Sequence, residues 1–401
     1  MFLKLGTRKV VVVSSPMAVQ ECFTTKDIIF ANRPELLAGK LLNYNNTTMG
    51  FSSYGDHWRN LRRLTTVEIF SPKRLTMFTS IWEDEVNLMM KELYQKSREK
   101  PMKVELRPKF MELSFNIMVR MIAGKRYYGK DVVDEEARQF QGILRESMEL
   151  HGSSNLGDYF PFFQWVDIQG VQKRMVRLMK KMDKFFQFLI DEHRKIRTKS
   201  NVSLGESSGS TEERKKKKTL IDVMLSLQQE EPELYSDTII KSVILAMLVA
   251  GTETSTTIME WAMSLLLNHP QTMKKALAEI ETNVGQGRLL NEQDLPKLKY
   301  LHNIISETLR LFPAAPLLLP HESADDTTIC GYNVPRGTML LVNIWTLQRD
   351  PECWEDSTKF NPERFEEGEA EGYKMIPFGA GRRACPGATL ARRVIALLWE
   401  P

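Results

Sequence analysis

Four groups of residues in this sequence could do chemistry by type and spacing. The first is Cys385, alone among glycines and arginines in "FGAGRRACPG" (residues 378–387). The second is "AGTETS" (residues 250–255), a glycine and four polar residues inside an otherwise apolar helical pattern. The third is Glu307 with Arg310 in "ISETLRLFP", one turn apart on one helical face. The fourth is Arg364 in "FNPERF", in a loop bounded by Pro362.

The cysteine loop admits several readings. Gly379 to Ala384 formally match the dinucleotide fingerprint GxGxxA, but no alternating βαβ pattern surrounds them and two arginines fill the variable positions. A nucleophilic cysteine needs a histidine base brought close in space, and no local signature supplies one. A buried, inert cysteine is the usual fate of the residue type. The reading that uses most of the surroundings is a thiolate metal ligand. "ATLARRVIALLW" follows with a helical pattern, so Cys385 sits just before a helix N-terminus, where free N–H groups and the dipole favour a negative sulfur. Glycines allow close approach to a flat cofactor, and a nearby arginine can neutralise its carboxylates. One thiolate without other ligands suits haem iron better than zinc or an iron–sulfur centre.

In "AGTETS", glycine costs helix stability and Thr or Ser can bond back to the preceding turn. Either the helix face meets a water pocket, or a small ligand lies on it with Glu253 and Thr254 as a polar relay. Taken alone, Glu307 with Arg310 is the kind of pair common on surfaces.

The elements that must position these groups are mostly helical. Ser236 or Asp237 caps a helix that Pro270 ends, some thirty residues or about 45 Å long, belonging in the middle of the protein. Its unbroken apolar run is short and Glu253 and Glu260 interrupt it, which argues against a membrane span. At the start, a hairpin turns at Gly6 and Thr7 before the run Val10 to Val13, and Ser15 and Pro16 open a helix. Residues 198–218, ending in the basic run Arg214 to Lys218, read as a mobile polar loop. The chain is expected to form one domain over residues 1–401, incomplete at both ends, since "ALLWEP" stops partway along an apolar helical pattern.

Composition excludes several classes. Of 401 residues 42% are hydrophobic and 26% charged, a globular balance, and the net charge of +4 with no basic, aromatic-interleaved stripe argues against nucleic acid. Cysteines at 22, 330, 353 and 385 form no CxxC and suit a reducing compartment. Six scattered histidines form no HExxH.

The cysteine loop resembles the FxxGxRxCxG signature of the cytochrome P-450 family at Phe378, Gly381, Arg383, Cys385 and Gly387. "AGTETS" resembles that family's oxygen-binding helix segment, "ETLR" its ExxR helix, "PERF" the loop completing a Glu-Arg-Arg cluster, and "WRNLR" (residues 58–62) its WxxxR helix. All five occur in family order. The segment from "SETLRLFP" to "LQRDP" is similar to the plant microsomal branch, most of all to enzymes hydroxylating isoflavones and related flavonoids.

The resemblance implies a mainly α fold with small β-sheets, haem b lying between the long central helix and the cysteine-loop helix. It implies Cys385 as the iron's axial thiolate, Glu253 and Thr254 as the acid–alcohol pair that delivers protons, and Trp58, Arg62, His321 and Arg383 as holders of the haem propionates. Phe378, Gly381 and Gly387 complete the cofactor loop. Glu307, Arg310 and Arg364 form a buried structural cluster. Residues 36–56, Ala250, Gly251 and Ala314, Ala315, Pro316, Leu317, Leu318 and Leu319 line the substrate pocket. The implied reaction is monooxygenation of an apolar small molecule with O2, on electrons from NADPH through a cytochrome reductase. Arg392 and Arg393 could help dock that reductase, or be ordinary solvated arginines. A monomer on the cytosolic face of the endoplasmic reticulum is expected, with peripheral membrane contact, although the family's anchor helix is not in this sequence. Two other readings stay open: an inactive fragment or haem-binding module, and the oxygen-independent relatives that rearrange hydroperoxides, which Glu253 with Thr254 disfavours.

Overall fold

The N-terminal hairpin pairs β1 (Phe2–Leu5) with β2 (Arg8–Val13), antiparallel, Phe2 opposite Val11. Gly6 makes the turn at φ +59°. Ser15 then holds the cap position of α1 (Pro16–Phe23) without a side-chain bond, and Pro16 stands at the first helical position, where its missing N–H costs nothing. These coordinates are a computed structural model that describes residues 1–99, 103–129, 135–203, 219–285, 288–368 and 372–399.

Helices then dominate. They are α2 (Leu37–Leu42), α3 (Asp56–Glu68), α4 (Pro72–Glu99), α5 (Leu106–Ala123), α6 (Glu135–His151), the single turn α7 (Phe162–Trp165) and α8 (Val171–Ser203). The last overruns the expected start of the polar loop at residue 198. The Thr198 hydroxyl donates to the Arg194 carbonyl one turn back, and the helix continues through the polar stretch to Ser203. The rest of that loop, with Arg214 to Lys218, lies outside the described residues.

α9 (Leu220–Glu230) starts at a capping box, in which the Thr219 hydroxyl accepts from the Asp222 N–H and the Asp222 carboxylate accepts from the Thr219 N–H. The central helix α10 (Asp237–Asn268) has Ser236 at its cap, and Pro270 opens α11 (Pro270–Val284), as the sequence suggests. α12 (Lys299–Leu311) follows. Short strands β3 (His321–Glu322), β4 (Thr327–Ile329), β5 (Tyr332–Val334) and β6 (Met339–Val342) lead to the one-turn α13 (Ile344–Leu347). α14 (Ala388–Ala396) is the helix expected after Cys385.

The main sheet has the order β1-β2-β6-β3, with β2 and β6 parallel and Val10 opposite Met339. The β4–β5 hairpin turns on Cys330 and Gly331, both at positive φ (48° and 81°).

α10 lies in the core, packed on α5, α8, α12 and α14. Ile240, Ile244, Leu248, Met259 and Ala262 are buried along it. By length and composition it could cross a membrane, but 61% of the apolar window is buried inside the protein. At "AGTETS" the expected back-bonding occurs. The hydroxyls of Thr252, Thr254 and Thr256 donate to the carbonyls of Leu248 (2.7 Å), Ala250 (2.6 Å) and Thr252 (2.9 Å).

Candidate active site

Cys385 is held by the turn that precedes α14. Its N–H donates to the Phe378 carbonyl (2.8 Å), which closes the loop on itself. Gly379 and Gly381 adopt positive φ (71° and 64°), as only glycine does at low cost. Gly381 is needed for a second reason: a Cβ there would lie 2.5 Å from the Asp27 carboxylate, which pairs with Arg382 at 3.1 Å. Gly381 therefore lets the loop close tightly on the chain at and just beyond α1's end. The thiol is open to solvent yet ringed by protein. Burial pushes it above the usual cysteine range, opposed by the N–H groups of Gly387 and Ala388 and by the Arg62 guanidinium.

Around this loop the structure gathers the basic residues singled out in the sequence. Trp58 and Arg62 sit one turn apart on α3. Arg62 donates to the Ala384 carbonyl next to Cys385 (2.7 Å), and the Arg383 guanidinium lies 4.4 Å over the Trp58 ring. Arg383 donates to the carbonyls of Ala31 (2.7 Å), Met49 (3.2 Å) and Ser52 (2.7 Å). His321 is buried, with Nδ1 2.7 Å from the Phe30 carbonyl. Desolvation first, then the charges of Arg33 and Arg383, hold its imidazole well below the ordinary range, so Nδ1 carries the proton and donates.

Arg33 is a residue the sequence reading missed. It is buried at the chain's crossing with Leu319 and donates to the carbonyls of Gly50 (3.0 Å), Leu319 (2.9 Å) and Pro320 (2.7 Å). Burial, with Arg383 nearby, pushes it down to about 9, and burial, with Arg62 nearby, pushes Arg383 down to about 10. Among the described residues neither guanidinium is in an ion pair with a carboxylate. The one available signal was "FANRPEL", an arginine in an apolar stretch ahead of a proline.

A buried Arg33 beside a half-buried Arg383 of like charge is costly unless an anion joins them. Beside them, the Trp58 indole N–H and the Ser52 hydroxyl are buried without partners. This donor set suits a group carrying two carboxylates, with a thiolate ligand at hand, and haem fits that description. Among the described residues no cluster of three or more His, Cys, Asp or Glu forms a metal site of its own.

The pocket residues of the sequence reading are partly assembled. Leu318, at φ 53°, comes within 4.0 Å of where a Gly379 side chain would begin, and Leu319 does the same at Gly50. Pro316, Leu317 and Leu319 are exposed and Ala314 and Ala315 half-buried, with the Leu318 N–H closing a turn onto the Ala315 carbonyl. Ala250 and Thr254 are exposed although they lie mid-helix. At Gly251 a Cβ would lie 2.3 Å from the Met118 sulfur, so this glycine lets α5 pack closely against α10.

Glu253 makes its contacts elsewhere, in an ion pair with Arg107 of α5 that also engages Glu260. Arg392 and Arg393 are not free surface cations. Arg392 donates to the Ser306 hydroxyl (3.3 Å) and lies over the Phe378 ring, and Arg393 pairs with Glu292 at 2.5 Å.

Glu307, Arg310 and Arg364 form a complete cluster below the loop. Glu307 and Arg310 are fully buried, not surface residues, and Arg310 grips both carboxylate oxygens at 2.6 and 2.7 Å. Arg364 donates to the same carboxylate at 3.0 Å, and the Trp354 ring lies within 6 Å of both guanidiniums. The remaining Arg310 donors go to the carbonyls of Gln348, Ser357 and Lys359, which ties α12 to the segment leading to Cys385.

The family model described as Cytochrome P450 matches residues 1–399. A Catharanthus roseus protein named cytochrome P450 81Q32 is 54% identical over 395 residues, covering 98% of this chain and 76% of that one. A Medicago truncatula isoflavone 3'-hydroxylase is 50% identical over 399 residues, with the same two coverages. A zebra fish cytochrome P450 structure with progesterone superposes with a TM-score of 0.82 at 26% identity, covering 99% of this chain and 86% of that one.

Proposed function

The chain belongs to the cytochrome P450 family, haem-dependent monooxygenases, and from that premise we propose that it oxygenates an apolar plant metabolite of the isoflavone or flavonoid type. The fold is the mainly helical one expected, with small sheets. The substrate class is taken from relatives such as the Medicago isoflavone 3'-hydroxylase. The observation that carries the cofactor assignment is the buried Arg33 and half-buried Arg383 beside Cys385, neither of them paired with a carboxylate among the described residues.

In this reading residues 1–401 work as one catalytic domain and Cys385 is the thiolate ligand of haem b. Arg33, Arg62, Arg383, His321 and the Trp58 indole hold its two propionates. Phe378, Gly381 and Gly387 shape the loop around the sulfur. The bound cofactor supplies the redox-active iron at which O2 is reduced and one oxygen atom passes to substrate. The protein supplies position and protons. Ala250, Ala314, Ala315, Pro316, Leu317 and Leu318 present small or apolar surface that suits a planar, poorly soluble substrate. Glu253 and Thr254 bring protons from solvent, which a cofactor pocket lined with apolar groups cannot do by itself.

Electrons come from NADPH through a cytochrome reductase, and the chain works as a monomer at the endoplasmic reticulum membrane. An exposed apolar surface favours that location: Phe160, Phe162, Trp165 and Ile168 project from the α6–α8 connection, with Trp165 91% exposed. The β1–β2 turn adjoins them, its Thr7 N–H bonded to the Tyr159 carbonyl, and carries exposed Met1, Phe2 and Leu5.

The test is the reduced carbon-monoxide difference spectrum of the expressed chain, followed by product analysis with isoflavones, NADPH and a plant reductase. A red-shifted thiolate-type band and a product heavier by one oxygen are expected. Cys385→Ser should abolish both. A histidine-type band, or haem uptake unchanged by Cys385→Ser, would overturn the assignment.

A further inference from the structure

Gln348 follows the one-turn α13, its N–H bonded to the Ile344 carbonyl at 2.9 Å, and it is fully buried. Every polar atom of its side chain is used. Nε2 donates to the carbonyls of Leu309 (3.0 Å) and Arg310 (2.9 Å), and Oε1 accepts from the Ile376 N–H at 3.1 Å. Two carbonyls on one side and an N–H on the other fix which end of the amide is which. Both carbonyls belong to the last turn of α12, where the helix itself offers them no partners. Gln348 therefore caps α12 and holds Ile376 with the same group. Its own carbonyl accepts from Arg310 at 2.7 Å, so the Glu307 cluster fixes its backbone.

Ile376 opens the limb of the cysteine loop that runs up to Phe378. Its carbonyl accepts from the Gly379 N–H (2.9 Å), and the Phe378 carbonyl accepts from the Cys385 N–H (2.8 Å). The other limb is tied to the chain just beyond α1 by Asp27 with Arg382, and to α3 by Arg62 with the Ala384 carbonyl. We propose that Gln348 is a positioning residue that sets where the upstream limb, and with it the Cys385 sulfur, stands relative to α12. This rests on the role proposed above for Cys385 as the haem ligand. Placement matters there, because a metal–ligand bond keeps to within about 0.2 Å of its preferred length. A side chain that only filled space at this position would be replaceable by leucine at a cost in stability alone. One that places the loop would also change the ligand the iron meets.

Gln348→Leu leaves the Leu309 and Arg310 carbonyls and the Ile376 N–H without this partner and should free the limb. Two readouts separate placement from stability: amide hydrogen exchange of the expressed chain, and its reduced carbon-monoxide difference spectrum. Exchange over residues 376–385 should quicken about tenfold or more, and most of the thiolate-type band should be lost. Met182→Ala, a truncation at a buried position of α8, controls for destabilisation and should do neither. If Gln348→Leu yields no soluble protein, Gln348→Glu decides. It keeps an oxygen facing the Ile376 N–H but gives up the amide donors. Exchange should then quicken over residues 306–311 and stay within about twofold of the parent over 376–385. Three results would overturn the proposal: loop exchange in Gln348→Leu no faster than in the control, a full thiolate-type band in that variant, or loop exchange in Gln348→Glu that rises together with the end of α12. A parent chain with no thiolate-type band would overturn the haem reading instead, and the exchange measurement would still decide the role of Gln348.

Discussion

Among the described residues, two arginine clusters reach into the interior, each built on one buried guanidinium, Arg310 or Arg33, and they differ in one respect. Around Glu307, two guanidiniums share a carboxylate that also accepts the Asn361 N–H at 3.0 Å. Around Arg33 and Arg383, two guanidiniums share only backbone carbonyls. The first cluster has a protein carboxylate at its centre, within reach of both guanidiniums. The second, among the described residues, holds positive charge with no protein carboxylate to match. A closed cluster marks a brace, and an open one marks a place where something else binds.

The sharpest way to break this contrast is to open the closed cluster. Glu307→Ala strands two cations and should cost about 3–5 kcal/mol, enough to leave little folded holoprotein. Arg364→Ala should likewise lose haem rather than slow turnover, read from haem content per chain after purification. Replacing Glu307, Arg310 and Arg364 together by apolar residues of similar volume should do less harm than Glu307→Ala alone. If the single variant is the milder one, the brace reading fails.

The open cluster should respond differently. Arg33→Met or Arg383→Met removes a repulsion, so the haem-free chain should unfold in denaturant no earlier than the parent. Haem affinity should fall about tenfold or more, which is about 1.4 kcal/mol. Equal loss in both measurements would make this cluster structural as well.

The smallest expected effect is on pH dependence. The folded His321 has its pKa depressed, while the unfolded chain protonates near the ordinary value of about 6.5. Its contribution to stability is therefore full above about pH 6.5 and is lost as pH falls toward the folded value. Denaturation of the haem-free chain should steepen below that point by up to about 1 kcal/mol per pH unit, and His321→Gln should flatten the curve. A carboxylate bound beside the imidazole should weaken the trend, so the holoprotein should show less of it.

Much of this organisation was legible in the residues. The hairpin at β1–β2, both ends of α10 and the helix after Cys385 follow from β-branched runs, caps and prolines, all local signals. The cysteine loop was legible because glycine, arginine and cysteine fall at fixed spacing. Burial of Glu307 and Arg310 was legible only through the family resemblance, since an i, i+3 ion pair by itself reads the same on a surface, and their neighbours Ile304, Ile305 and Leu309 only say that the helix is apolar. Arg33 and Arg107 were missed because their partners stand far along the chain, at Leu319 and Glu253. The packing of Gly251 on Met118 of α5 was not legible, because a glycine spared for a ligand and one spared for a neighbouring helix look identical in sequence.

The parallel pairing of β2 with β6 has a consequence for biosynthesis. Val10 meets Met339, more than three hundred residues later, so this hairpin must wait for all the intervening polypeptide before its inner edge is satisfied. Until then Val10 to Val13 presents an unpaired, β-branched edge, the kind of surface that chaperones shield and aggregates recruit. That edge can close only once β6 has been made, shortly before Cys385 in the chain.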